Sequence, residues 1–293
     1  MAHAFRFGVV NSGAQSGAEW VARARRAEEL GYSTMLMVDR LPVPLAPLTA
    51  LAMAAGATTT LRVGSHVFCN DYRHPVLLAK EAATLDFLSG GRFELALGSG
   101  VGESDFQQLG LSFDSAGTRV SRLEEALRII KPLLRGETAN VAGTYYTVTN
   151  VKGTPRPVQQ PHPPIFLAGS GKRMLTIAAR EADIIAVIAY VKSSGGAPED
   201  VPLEQKIAWV REAAGERFSR IEFAHTAYYL SITDSPVEAT PFSGWSIPQK
   251  PMSTEQAIEY LQEQRQLYGF SYIQIADNQM ENFAPVVARL AGH

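Results

Sequence analysis

Along the chain, short apolar runs alternate with longer segments in which apolar residues recur at three- and four-residue spacing. Residues 61–102, LRVGSHVFCNDYRHPVLLAKEAATLDFLSGGRFELALGSGVG, show the pattern most fully. The run 61–68 is apolar enough to predict a strand buried on both faces, as a parallel strand is when helices cover its sheet. Pro75 suits a first helical position, where its missing N–H would lack a partner anyway. The helix it opens runs to Leu88 and stops at Ser89-Gly90-Gly91. A second strand at 93–97 ends in Gly98-Ser99-Gly100-Val101-Gly102, which has so little side-chain bulk that backbone N–H groups can approach a ligand. In parallel α/β sheets that carboxyl end is where sites are built.

The same alternation predicts strands at 5–10, 34–38, 165–168, 184–188, 221–232 and 272–276. Helices are predicted at 20–30, 48–58, 120–134, 172–180, 203–214, 254–267 and 283–290, with a short one at 103–109. Residues 139–151 alternate around Gly143 like an inserted hairpin. Two stretches are loop-like: 192–201, and 233–251 with its prolines and Trp245. Eight strands alternating with helices favour a closed (β/α)8 TIM barrel with small insertions over a doubly wound open sheet. On pattern alone, a nine-strand open sheet with insertions reads much the same. No linker divides the chain, so residues 1–293 are expected to form one barrel domain.

Composition narrows the partners. With 46% apolar residues, 19% charged residues and a net charge of −2, the chain has a sizeable core and no basic patch. It is therefore expected to take a small-molecule substrate and neither nucleic acid nor membrane. Cys69 is the only cysteine, so no disulfide forms within the chain. No segment approaches the roughly 20 apolar residues of a membrane span, and the start lacks the charged and apolar regions of a signal peptide. A cytoplasmic location is the expectation.

Gly169-Ser170-Gly171 precedes a predicted helix, which brings free N–H groups and the positive end of the helix dipole to one point, with Lys172 and Arg173 beside it. That is a phosphate seat, although a glycine turn before a helix is also ordinary loop chemistry. Gly98, Ser99 and Gly100 form the companion loop, whose plain reading is a tight connection. The histidines show no metal-ligand spacing, and no metal site is expected. No G-x-S-x-G elbow or Walker loop is present.

Three stretches carry a family resemblance: RHPVLLAKEAATLDFLSGGRFELALGSG at 73–100, PPIFLAGSGKRMLTIAAREAD at 163–183 and SYIQIADNQMENFAPVVARLAG at 271–292. Through them the chain resembles the bacterial luciferase-like flavin-dependent monooxygenases and their deazaflavin-dependent relatives. The resemblance implies a barrel whose mouth holds a flavin-type ring, a lid near 233–251 and possible homodimers. Its wording is nearer the deazaflavin branch, which implies an oxidoreductase moving hydride between coenzyme F420 and a small organic substrate. Two alternatives stay open: an FMN-dependent monooxygenase, and a barrel that binds such a cofactor without catalysis.

The resemblance also implies roles for particular residues. A non-prolyl cis peptide is expected at His66–Val67, behind the ring, although a histidine satisfied by barrel neighbours is the plainer reading of His66. Asn70 follows and is expected to donate to a ring carbonyl, while His74 reads as a helix cap. Asp39 and Arg40 stand where relatives commonly carry an Asp-His pair. An arginine stays protonated and makes a poor general base, so the His-based scheme does not transfer; the pair reads either as ring-edge contacts or as a surface ion pair. Glu103, with Asp105 nearby, stands where some relatives place an acid, and helix-start carboxylates are the plainer explanation.

Overall fold

The computed structural model describes residues 3–188, 201–234 and 250–293. In chain order its elements begin with β1 (Arg6–Asn11), α1 (Gly17–Glu29), β2 (Thr34–Met37), α2 (Pro47–Ala57), β3 (Arg62–Ser65), β4 (Phe68–Cys69), α3 (Pro75–Leu88) and β5 (Phe93–Gly98). They continue with α4 (Glu103–Gln108), α5 (Ala116–Leu134), β6 (Thr138–Ala142), β7 (Thr147–Lys152), β8 (Ile165–Gly169), α6 (Lys172–Glu181) and β9 (Ile184–Val187). The last are α7 (Leu203–Ala214), β10 (Glu222–Thr226), β11 (Leu230–Ile232), β12 (Lys250–Met252), α8 (Thr254–Tyr268), β13 (Phe270–Ala276) and α9 (Ala284–Leu290).

The main sheet runs β3-β2-β1-β13-β10-β9-β8-β5-β4, and β5 pairs back onto β3, so the sheet closes into a (β/α)8 barrel with β3 and β4 as two pieces of its third stave. Its pairings are parallel. Alternate strand residues face outward: Phe7, Val9, Met35, Leu95, Ile185 and Ile273 pack with helix residues such as Trp20, Leu78, Leu127 and Val287 in one continuous shell. The other face fills the lumen with Val10, Leu36, Ala96, Phe166, Ala186, Ala224 and Tyr272.

Ions close the amino end of the lumen. Arg6 forks onto Glu222 at 2.7 Å on both nitrogens and reaches Glu94 at 2.6 Å, while Arg62 binds the same Glu94 oxygen at 2.7 Å. The Arg6 guanidinium lies 3.5 Å from the centre of the Tyr272 ring. Glu94 is fully buried, and the two arginines hold its carboxyl below the usual range against the opposing effect of burial. Ligand access is thereby left to the carboxyl end.

The third stave is irregular at that end. Gly64 pairs with Glu94 and Phe68 with Leu97, so four steps on this stave match three on β5. One residue is extra, which bulges the strand, and the His66–Val67 peptide within the bulge is cis, at the expected position.

One expectation changes. The strand expected over 221–232 is two: β10 ends at Thr226, and β11 pairs with β12 in a separate two-stranded sheet. A turn divides them, closed by the Leu230 N–H donating to the Ala227 carbonyl, and Ala227 N–H is tied to Gln274 of β13. Of the expected lid at 233–251, residues 235–249 lie outside the described residues, as do 192–200 of the other loop. The hairpin forms as expected from β6 and β7. Its turn is held by the Glu125 carboxylate of α5, which accepts N–H bonds from Thr144, Tyr145 and Tyr146 at 2.9, 2.9 and 2.6 Å.

Candidate active site at the mouth of the barrel

The carboxyl ends of the staves bring most of the expected site residues together, but with other partners than the sequence suggested. Asp39 and Arg40 do not pair. The buried Asp39 carboxylate accepts both nitrogens of Arg73 at 2.6 and 2.9 Å and the Cys69 N–H at 2.9 Å, fixing the end of the third stave to the loop after β2. Arg40 turns the other way and forks onto Asp105 of α4 at 2.6 and 3.1 Å. Asp105 has no exposed surface, and the Arg40 guanidinium holds its carboxyl below the usual range. The surface-pair reading is corrected on both counts. Glu103 sits on the exposed face of α4 and takes a bond from Gln107, so Asp105 is the acid that faces inward.

The loop after β5 is packed against these groups. A Cβ on Gly98 would stand 2.8 Å from Val67 Cγ2, and one on Gly100 2.8 Å from both Cys69 Sγ and the Phe106 ring. Gly102, at φ +82°, lies under Arg40, whose Nη2 would be 2.7 Å from a Cβ there. The Ser99 carbonyl accepts from Arg119 Nε at 3.1 Å. The loop is a fixed wall of the mouth.

Asn70 is buried but committed elsewhere: its Nδ2 donates to Tyr146 Oη at 3.2 Å and to Asp71 at 3.0 Å, which uses both of its N–H bonds. The expected bond to a ring carbonyl is therefore not available from that amide nitrogen. His74 caps α3 as expected, accepting from the Val76 N–H at 3.3 Å.

Next to β5 in the sheet, β8 ends at Gly169 and α6 starts at Lys172 with no side-chain cap. Its first-turn N–H groups have no partner within the helix, and a Cβ on Gly171 would meet nothing within 4 Å. Backbone and dipole are open there. Arg173 is turned away, donating to the Gly117 carbonyl at 3.0 Å and Ser121 Oγ at 2.8 Å on α5, and Lys172 lies over Trp209, 5.8 Å from the ring centre.

At the throat, between mouth and lumen, His66 is held at both ring nitrogens. Nε2 is 2.9 Å from Gln274 Oε1, and Nδ1 is 3.0 Å from the Tyr228 hydroxyl. The amide oxygen can only accept, so Nε2 carries the proton and Nδ1 accepts from Tyr228. Burial pushes the imidazole down to about 4, leaving it neutral at pH 7. Thr226 Oγ1 shares Gln274 Oε1 at 3.2 Å, while Gln274 Nε2, fully buried, has no hydrogen-bond partner among the described residues. The plain reading of His66 as a histidine satisfied by barrel neighbours holds in this respect.

Tyr228, Gln274, Arg73 and the pairing of Asp105 were not anticipated. Gln274 carried a signal, since it is the one side-chain amide in the apolar strand run YIQIA. Tyr228 was hidden by the strand drawn through it. Among the described residues no group of three or more His, Cys, Asp or Glu could hold a metal, and no helix is long and apolar enough to cross a membrane.

Comparison with known proteins places this architecture. An F420-dependent glucose-6-phosphate dehydrogenase of Microbacterium testaceum is 32% identical over 203 residues, 66% of this chain and 58% of that protein. An F420-dependent hydroxymycolic acid dehydrogenase of Mycobacterium tuberculosis is 32% identical over 171 residues, 56% of this chain and 47% of that protein. The chain thus spans about half the length of these curated relatives. The solved coenzyme F420-dependent tetrahydromethanopterin reductase of Methanopyrus kandleri superposes with a TM-score of 0.80 over 99% of both chains at 18% identity, a likeness of fold. The model of the luciferase-like monooxygenase family matches residues 1–284, and the chain belongs to that family.

Proposed function

We propose that the protein is a deazaflavin-dependent oxidoreductase that exchanges hydride between coenzyme F420 and a small organic substrate at the mouth of the barrel. The observation that carries the reading is the uncapped start of α6, open at Gly171 at the carboxyl end of β8, with only β5 between it and the bulged third stave. The relatives named as F420-dependent dehydrogenases support the choice of cofactor over FMN.

The residues present fit such a group. Gly169, Ser170 and Gly171 would hold its phosphate through backbone N–H bonds and the dipole of α6. Lys172 adds charge nearby, whereas Arg173 acts by bracing α6 against α5. His66 and Val67 would back the ring, and Gly98, Ser99 and Gly100 would wall its edge. The cofactor supplies the two-electron hydride chemistry. The chain supplies orientation, exclusion of water and proton handling. Asp39 and Arg40 contribute here as braces, each occupied by an ion pair with another side chain. Glu103, exposed, does not enter the mechanism.

Fluorescence quenching of the purified protein with F420 and with FMN tests the reading. We expect F420 to bind at least tenfold more tightly. Tighter FMN binding, with oxygen consumed on reduction, would favour the monooxygenase alternative instead.

A further inference from the structure

The helices around the barrel do not all suit contact with water. Most turn charged side chains outward: Arg25, Arg26 and Glu29 on α1, Arg128 on α5, Arg180 on α6, and Glu259 and Glu263 on α8 are exposed. By contrast α2, PLTALAMAAGA, has no charged residue at all. Its exposed residues Thr49, Ala52, Met53 and Gly56 are spaced three and four apart and so share one face. The next helix, α3, continues the pattern. Leu77, Phe87 and Leu88 are each more than half exposed, along a stripe that also holds Lys80 and Glu81. A helix that is apolar on every side is ordinarily covered on every side.

Gly56 adds a separate observation. It sits in the last turn of α2, where glycine costs up to about 1 kcal/mol relative to alanine. Nothing within the chain explains it, because a Cβ there would meet no atom within 4 Å. With Ala52 beside it, the outer face of α2 is bare enough for the backbone of another molecule to approach closely.

The charges on this face identify that molecule. Lys80 and Glu81 are the only exposed charged residues of α2 and α3, and neither makes an ion pair among the described residues. Arg73, which acts on Glu81 at longer range, is itself held by Asp39. Two adjacent charges of opposite sign make a face of zero net charge that complements its own copy. In a two-fold contact residue i meets residue j and j meets i.

We propose that a second copy of this chain docks on the outer face of α2 and α3, with α3 crossing the partner's α3 in the opposite direction about a two-fold axis near Lys80 and Glu81. Lys80 then reaches the partner's Glu81, and the same pair forms again on the other side of the axis. Leu77 of each copy meets the partner's Leu88, and the bare stripe of α2 lies close to the contact. The inference is independent of the cofactor reading.

Sedimentation of the full chain at micromolar concentration, with no cofactor added, should give twice the 31.8 kDa of one chain. Leu88→Lys should give a folded monomer, since a cation suits the last turn of a helix. Gly56→Gln should weaken the dimer while keeping or raising helix content, a combination that damage to the fold would not produce. The decisive test is the charge pair. Lys80→Glu and Glu81→Lys each leave two like charges facing their own copies and should each weaken self-association on the order of tenfold or more. Mixing these two variants, or placing both changes in one chain, should restore it. A monomeric wild type would refute the proposal and leave the face to a partner of another kind. A dimer unmoved by all of these changes would place the contact elsewhere on the barrel and refute it equally.

Discussion

At the residue scale, Arg40 is where sequence and structure differ most instructively. Chain order places it beside Asp39, yet the two side chains diverge to Asp105 and Arg73, because the loop after β2 sits between α4 and the third stave. Sequence spacing reports neighbours along the chain and cannot report which distant carboxylate a long side chain will reach. Removing one partner of a buried pair leaves the other charge uncompensated, typically at a cost of about 3–5 kcal/mol. We therefore predict that Arg40→Met lowers the unfolding free energy by about 3 kcal/mol, Arg40 being partly exposed, and that adding Asp105→Leu restores most of it. Urea unfolding of the single and double variants checks this; a neutral single variant would mean that the pair contributes nothing. The glycines of the turn before α6 also differ from one another. A Cβ at Gly169 would strike Met174 Cγ at 2.4 Å, so substitution there disturbs α6 itself, whereas Gly171 has open space and φ −78°. Gly171→Glu is predicted to keep the melting temperature and to weaken F420 binding at least tenfold, by bringing a negative charge to the phosphate seat. Undiminished affinity in the folded variant would move the phosphate elsewhere.

At the scale of elements, helices and most strands were legible because burial imposes their periods on the sequence: α5 reads off its apolar spacing, and β8 and β9 off short apolar runs. The end of β10 was not. Tyr228 and Tyr229 suit a strand by residue type, but the chain turns at 227–230 and sends Tyr228 across the lumen, a choice made by contacts with β3 and β13 that no local pattern encodes. The hairpin was legible as an insertion, but its purpose was not. Glu125 ties its turn to α5, and Tyr146 then takes both Asn70 and the edge of His74. Replacing Glu125 by Ala leaves three N–H groups without their acceptor, at about 1–3 kcal/mol for each one that stays buried. We predict that Glu125→Ala selectively accelerates hydrogen exchange at Thr144, Tyr145 and Tyr146. Unchanged exchange there would show that the turn holds without α5.

At the scale of the whole molecule, the closed barrel was legible from eight strand–helix alternations, while its closure at the amino end by Arg6, Arg62, Glu94 and Glu222 was not, since those residues lie far apart in sequence. Two half-buried histidines give the fold a pH dependence with a definite sign. Burial brings His66 and His225 down to about 4, whereas in the unfolded chain each titrates near 6.5. The unfolded state therefore binds more protons below that value, so stability is full above about pH 6.5 and falls as pH drops toward 4. Each histidine contributes at most about 2 kcal/mol of that loss between pH 6.5 and 5. His225 stacks on Phe270 with centroids 4.7 Å apart, and its Nε2 lies 2.7 Å from the Tyr229 hydroxyl, which also pairs with Tyr260 Oη at 2.7 Å. His225→Phe should therefore shrink the difference in stability between pH 7 and pH 5, and an unchanged difference would assign the pH dependence to other groups.

The central claim, that the carboxyl mouth of this barrel seats a deazaflavin, is tested most directly by a crystal structure of the protein with F420. The account predicts the phosphate against the backbone N–H groups of Gly169, Ser170 and Gly171 and the ring against His66 and Val67. A cofactor bound away from both, or a phosphate held by side chains on another stave, would contradict it.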